Sequence, residues 1–111
     1  MAEVSKETEQ KIAQLQLMEQ NLQSFLLQRQ QFQSQLIEVE SALKEIETAK
    51  ETYKIVGNIM VNASKEDLKK DLEEKKGILE LRIKSLEKQE TQIKEKASKT
   101  QAEVLEKIKE K

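Results

Sequence analysis

Apolar side chains recur at alternating steps of three and four residues through the first half of the chain. The pattern has ten positions, Leu15, Met18, Leu22, Phe25, Arg29, Phe32, Leu36, Val39, Leu43 and Ile46. Nine of the ten are apolar, and Arg29 is the exception. A stripe repeating every 3.5 residues keeps one side of a helix against a partner helix in a left-handed coiled coil. The pattern therefore predicts a helix over about residues 5–50.

A weaker version of the same repeat runs through the second half. Its ten positions are Leu72, Lys76, Leu79, Ile83, Leu86, Glu90, Ile93, Ala97, Thr100 and Val104. Ser64 with Asp67 has the spacing of an N-cap followed by an acidic first turn, which predicts a second helix over about residues 65–109. Gly77 lies off this stripe and costs the helix about 1 kcal/mol relative to alanine. It therefore indicates a close approach of another part of the protein, or a locally weaker helix, rather than a break in the helix. We call the two stripes together the seam.

The two predicted helices are nearly equal in length and the connection between them is short, so we expect an antiparallel pair. In that pairing Arg29 lies within about one heptad of Glu90, and the two polar seam residues could satisfy each other and fix the register. The alternative is that each long side chain reaches out to water. The sequence leaves both possibilities open.

The connection departs from the helical pattern. It contains the run Tyr53, Lys54, Ile55, Val56, Gly57, Asn58, Ile59, Met60 and Val61. β-Branched residues flank Gly57-Asn58, and glycine first in a two-residue turn favours a type II′ β-hairpin over a further helical turn. Pairing Val56 with Ile59 makes both hairpin faces apolar. Because an isolated two-stranded hairpin is marginal in water, we expect other subunits to supply further strands.

The predicted fold class is therefore all-α dominated. It is an antiparallel two-helix coiled coil with a central β-hairpin, at about residues 53–62, that we expect to pair with strands of other subunits. We expect a single domain over residues 1–111.

Composition argues against an enzyme. The chain has no cysteine and no histidine, which removes thiolate chemistry and the commonest general base and metal ligand. Carboxylates alternate with lysines at helical spacing, as expected of a solvated helix face. We therefore expect no catalytic residue, no cofactor and no bound metal.

Charge and hydropathy limit the partners. The formal net charge is -1 and the charges of both signs are interspersed, which does not favour nucleic-acid binding. The sequence has no run of about 20 apolar residues that would predict a membrane span. Its first residues also lack the apolar run of a signal peptide. We expect a cytoplasmic protein that binds neither nucleic acid nor membrane.

Apolar residues also lie off the seam near both ends of the chain. They are Val4, Ile12, Leu17, Leu105 and Ile108. Antiparallel folding would bring the two ends together and form an adaptable apolar tip, with Met18 among its residues. The alternative is that these side chains only widen the seam.

The two equal helices, joined by a hairpin with the run Tyr53 to Val61, resemble the beta subunits of the prefoldin family. The resemblance covers nearly the whole chain and implies a hexamer of two alpha and four beta subunits whose hairpins close into β-barrels. It further implies that the tips hold unfolded client proteins without ATP and pass them to a group II chaperonin. The implied assembly residues are Tyr53, Ile55, Val56, Gly57, Asn58, Ile59, Met60 and Val61. The implied client-binding residues are Val4, Ile12, Leu15, Leu17, Met18, Val104, Leu105 and Ile108.

The sequence is also compatible, to different degrees, with two other classes of function. A structural spacer or tether between two proteins would need the same coiled coil but no adhesive tip. A helix lying on a lipid surface is less consistent with the sequence, because lysine and glutamate are mixed on every outer face instead of forming a basic stripe.

Overall fold

A computed structural model describes residues 5–109, and Val4 therefore lies outside the described residues. The order of elements is α1 (Lys6–Thr48), β1 (Tyr53–Val56), β2 (Ile59–Asn62) and α2 (Lys65–Lys109). Two long helices with a two-stranded antiparallel hairpin between them confirm the predicted fold class at the level of one chain. Helix α1 ends two residues before the predicted limit.

Side chains near each helix start satisfy backbone donors that the helix cannot pair. The Ser5 hydroxyl accepts a hydrogen bond from the Thr8 amide at 3.2 Å, and the Ser64 hydroxyl accepts one from the Asp67 amide at 3.5 Å. Glu7 and Asp67 place negative charge in the first turns, where the helix dipole favours it. The N-cap predicted at Ser64 is confirmed.

By its internal packing the chain divides into two compact units. The hairpin unit is Gln30–Lys84, and the terminal unit comprises the chain up to Arg29 together with the chain from Ser85. All twenty seam positions are buried or half-buried, which confirms the heptad pattern in both units. The fully buried apolar side chains are Val39, Ile46, Leu79 and Ile83 in the hairpin unit and Leu86 and Val104 in the terminal unit.

Contacts within each unit run antiparallel. In the terminal unit Lys11 pairs with Glu103 at 3.0 Å, and Arg29, later on α1, pairs with Glu90, earlier on α2. In the hairpin unit the Arg82 guanidinium lies 5.5 Å from the centroid of the Phe32 ring. A cation over an aromatic face is favourable. The Arg82 side chain also shields the Phe32 ring, at the edge of the seam, from water.

The hairpin has the predicted register, with Val56 opposite Ile59 and Ile55 opposite Met60. Gly57 has a φ of 62°, and no other residue in the 5–109 range has a positive φ. One positive φ at the first central residue is the conformation of a type II′ turn. Beyond the strands, the Ala63 amide donates to the Thr52 carbonyl at 3.0 Å and extends the pairing toward the helices.

Candidate functional site

The hairpin carries the densest set of exposed apolar side chains in the described chain. All eight strand residues are exposed. Ile55 is 69% exposed and Met60, its cross-strand partner, 63%, while Val56 and Ile59 on the opposite face are 57% and 65% exposed. Cross-strand pairs normally stabilise a sheet by burying such side chains. Both faces of this hairpin therefore offer apolar surface that the described chain leaves uncovered.

An open groove in the hairpin unit lies beside strand β1. Apolar side chains from both helices and from the strand line it, namely Ala42, Ile46, Tyr53, Ile55, Leu68 and Leu72. Tyr53 donates its hydroxyl proton to Glu51, and this hydrogen bond raises the pKa of the tyrosine above its usual value. The groove continues the apolar surface of the hairpin onto the helices.

Two lysines of α2 fix the end of α1 next to the hairpin. Helix α1 has no basic residue in its last turn. The ammonium of Lys65 donates to the Glu47 carbonyl at 2.9 Å, and the ammonium of Lys69 lies 2.8 Å from the Glu47 carboxylate. The hydrogen bond and charge of Lys69 lower the pKa of Glu47, and Glu47 in turn raises the pKa of Lys69. The lysines thus occupy the negative end of the α1 dipole.

Two polar seam residues in the terminal unit pair directly. The Nε atom of Arg29 lies 3.1 and 2.9 Å from the two carboxylate oxygens of Glu90. Glu90 is 6% exposed, so its charge is satisfied inside the seam rather than by water. Of the two possibilities left open by the sequence, the structure shows the direct pair.

The structure places the predicted tip residues at three depths. Leu17 is 58% exposed, Leu105 52% and Ile108 49%. The side chains of intermediate depth are those of Ile12, Leu15 and Met18. Val104 is only 6% exposed, since it belongs to the seam. The ion pair of Lys11 with Glu103 brings the neighbouring Ile12 and Leu105 to the same level of the unit.

A second open groove follows the seam of the terminal unit. Leu15, Met18 and Leu22 line it from α1, and Ile93 and Ala97 line it from α2. Ala97 is small for a seam position and leaves space that a larger side chain would fill. Ile93 and Ala97 were not among the predicted tip residues, although a small residue in the seam opposite Met18 was a usable signal.

Five further exposed apolar side chains were not predicted as functional. They are Leu26, Leu27, Ile37, Ile78 and Leu81. Each lies off the seam, so periodicity alone does not separate it from an incidental surface residue. Leu81 is 70% exposed, the largest fraction among the large apolar side chains between residues 5 and 109.

Two other kinds of feature, a metal site and a membrane-spanning helix, are absent from the described part of the chain. Residues 5–109 contain no group of three or more acidic, cysteine or histidine side chains arranged to hold a metal ion. No helix within that range has the length and apolar character needed to cross a membrane.

Comparisons with known proteins agree with this architecture. The family model described as prefoldin subunit matches residues 9–111. The prefoldin subunit beta of Archaeoglobus fulgidus is 40% identical over 91% of this chain and 90% of its own length. The corresponding protein of Pyrococcus horikoshii is 36% identical, over 86% of this chain and 85% of its own. The crystal structure of the prefoldin beta subunit from Thermococcus strain KS-1 matches with a TM-score of 0.86 and 33% identity, covering 94% of each chain.

Proposed function

This chain belongs to the prefoldin family as a beta-type chaperone subunit and is not an enzyme, and from that premise we propose where it binds its partners. The proposal has two parts. Apolar side chains of the terminal unit hold unfolded polypeptides without ATP and release them to a group II chaperonin. The hairpin joins this chain to other subunits, including alpha subunits, in a cytoplasmic hexamer of two alpha and four beta chains.

The observation that carries the first part is the exposure of Leu17, Leu105 and Ile108 in a chain otherwise rich in charge. An unfolded client presents apolar side chains without a fixed shape, so it is best held by several weak contacts that adapt to it. Each leucine-sized side chain removed from water contributes on the order of 1 to 2 kcal/mol. Half-buried Ile12, Leu15 and Met18 extend this surface into the seam groove. Val104 supports it from below, and Val4 remains a predicted member.

The second part rests on the hairpin. Its apolar faces and free strand edges need covering, and strands from other subunits provide both apolar side chains and backbone hydrogen bonds. Closing several hairpins into a barrel removes every edge at once. The adjoining groove beside Tyr53 and Ile55 offers the same partners further apolar contact. The assembly residues are those predicted, Tyr53, Ile55, Val56, Gly57, Asn58, Ile59, Met60 and Val61.

The test of the first part replaces Ile12, Leu17, Leu105 and Ile108 by serine in the assembled protein. We expect the variant to assemble normally but to lose its suppression of light scattering when a chemically denatured protein is diluted into buffer. Suppression by a normally assembled variant equal to that of wild type would place client binding elsewhere. The result would then favour the spacer or tether.

A further inference from the structure

The open groove of the terminal unit is a gap in the α2 seam that is closed at both ends. Glu90 is 6% exposed and Thr100 9%, whereas Ile93 and Ala97, the two seam positions between them, are half-buried. We call this gap the Ala97 notch. Its apolar lining is Leu15, Met18, Leu22, Ile93 and Ala97.

Ala97 accounts for the gap, because it has the smallest side chain among the twenty seam positions. The α1 side chains that face it, Met18 and Leu22, therefore lack a seam partner of ordinary size. The notch has a volume of about 380 Å³, which lies within the range of roughly 300–1,000 Å³ found for ligand pockets. An apolar side chain from another molecule that enters the notch regains the missing packing contacts.

Polar groups border the notch on both helices. Glu19 lies on the α1 side, and Lys94, Ser98 and Gln101 lie on the α2 side. Neither Glu19 nor Lys94 takes part in an ion pair within residues 5–109. A carboxylate accepts hydrogen bonds from backbone N–H groups, and ammonium and amide groups donate to backbone carbonyls. An apolar floor between such borders suits an extended polypeptide, whose unpaired backbone needs both kinds of partner.

The shape of the notch favours one class of side chain. An entering group reaches Ala97 only by passing between the longer side chains of Met18 and Ile93. Valine and isoleucine carry their bulk at Cβ, close to their own backbone, and do not extend that far. A flat aromatic ring does, and the thioether of Met18 makes a favourable contact with such a ring.

We propose that the Ala97 notch takes an aromatic side chain of an extended client segment, and that Ala97 thereby determines specificity for aromatic over β-branched side chains. This proposal rests on the proposed function, in which the terminal unit holds unfolded polypeptides. The exposed side chains of Leu105 and Ile108 hold apolar residues of any shape. The notch adds a preference to that general affinity.

The test measures the binding of two fluorescent peptides to the assembled protein by fluorescence anisotropy. The peptides share the same leucines and differ at one central residue, which is phenylalanine in one and valine in the other. Ala97→Leu fills the notch from below. Ala102→Leu is the matched control, since it makes the same change at an exposed alanine of the same helix.

We expect Ala97→Leu to weaken binding of the phenylalanine peptide about five-fold or more, because the ring loses its burial, and to leave the valine peptide nearly unchanged. Ala102→Leu should change neither affinity. Unchanged binding of the phenylalanine peptide by Ala97→Leu overturns the proposal. Equal weakening of both peptides also overturns it, since the effect is then not specific to the ring.

A second measurement does not depend on how the seam accepts a leucine. The chain has no cysteine, so the thiol of Ala97→Cys is the only one to alkylate. We expect saturating phenylalanine peptide to slow its alkylation several-fold more than the valine peptide does, and to leave Ala102→Cys unaffected. Equal protection of Ala97→Cys by the two peptides contradicts the proposal.

The serine variant of Ile12, Leu17, Leu105 and Ile108 separates this proposal from the proposed function. If that variant loses both peptides while Ala97→Leu changes nothing, the notch proposal is overturned and the proposed function stands. If the serine variant binds both peptides as tightly as wild type and Ala97→Leu still weakens only the phenylalanine peptide, the notch proposal stands. The exposed tip residues are then not the binding surface.

Discussion

The Nε atom of Arg29 lies within 3.1 Å of both carboxylate oxygens of Glu90, the most buried charged side chain of the terminal unit. Removing one partner leaves the other charge in the seam without compensation. We expect Arg29→Met to destabilise the protein by about 2 to 4 kcal/mol, somewhat less than for a fully buried pair because Arg29 is partly exposed.

Replacing both residues with leucine should restore most of that stability, since apolar side chains then face each other at this point of the seam. Thermal unfolding of Arg29→Leu, Glu90→Leu and the double variant, at one protein concentration, gives the coupling between the two residues. Losses that simply add in the double variant would mean that the pair is not coupled in the folded protein.

The ion pair between Glu47 and Lys69 predicts a dependence on pH with a definite sign. The pKa of Glu47 is lowered from 4.5, so its contribution to stability is present above that value and is lost as the pH falls through the folded pKa. We expect Glu47→Gln to lower the melting temperature slightly at pH 7, and we expect this difference to shrink as the pH falls below 4.5. Because the pair is exposed, 1 M salt should also remove the difference.

At high pH, the deprotonation of Lys69 ends the range in which the ion pair with Glu47 stabilises the protein. The pKa of Lys69 is raised from 10.5, so the pair contributes fully below that value and is lost as the pH rises through the higher folded pKa. A difference in melting temperature between wild type and Glu47→Gln that grew toward pH 3 would contradict the stabilising role of the Glu47–Lys69 pair.

The hairpin predicts a separation between assembly and helix content. Ile55→Lys or Val56→Asp should lower the oligomeric state while leaving most of the helical signal, because the charge enters a strand interface between subunits. Ile37→Lys is the matched control, since Ile37 is 67% exposed and Ile55 69%. Sedimentation and far-ultraviolet circular dichroism measure the two properties together. Intact hexamers of the hairpin variants would rule out the barrel.

The two glycines should respond in opposite directions to alanine. Gly57 has a φ of 62°, which costs an L-residue roughly 1 to 2 kcal/mol, so Gly57→Ala should weaken the hairpin. Gly77 lies inside α2 with open space around it, so Gly77→Ala should raise the melting temperature through about 1 kcal/mol of helix propensity. A lower melting temperature for Gly77→Ala would show that something approaches this residue closely.

Much of the fold could be predicted because its determinants are local. The 3.5-residue repeat identified all the seam positions, Ser64 marked the start of α2, and Gly57 marked the turn and with it the pairing of Val56 with Ile59. These features depend on residues within a few positions of each other, and physical rules connect them directly to structure.

Features that depend on distant residues were harder to predict. The sequence did not show that Lys65 binds the end of α1, because its partner Glu47 is eighteen residues away. Nor did it distinguish exposed Leu17 from half-buried Ile12, since both lie off the seam. The depth of a side chain beside a seam depends on the opposite helix, which a helical period does not describe.

The central claim, that the predicted tip residues of the terminal unit hold unfolded polypeptides, is tested most directly by photo-cross-linking. A benzophenone group attached to a cysteine at position 17 or 105 reports contact there, and one at position 27 or 37 is the control. The native leucines and isoleucine at these four positions are exposed to similar extents, between 52% and 67%. We expect a denatured client to cross-link at Leu17→Cys and Leu105→Cys several times more than at Leu27→Cys and Ile37→Cys. Equal labelling at all four positions would contradict the account.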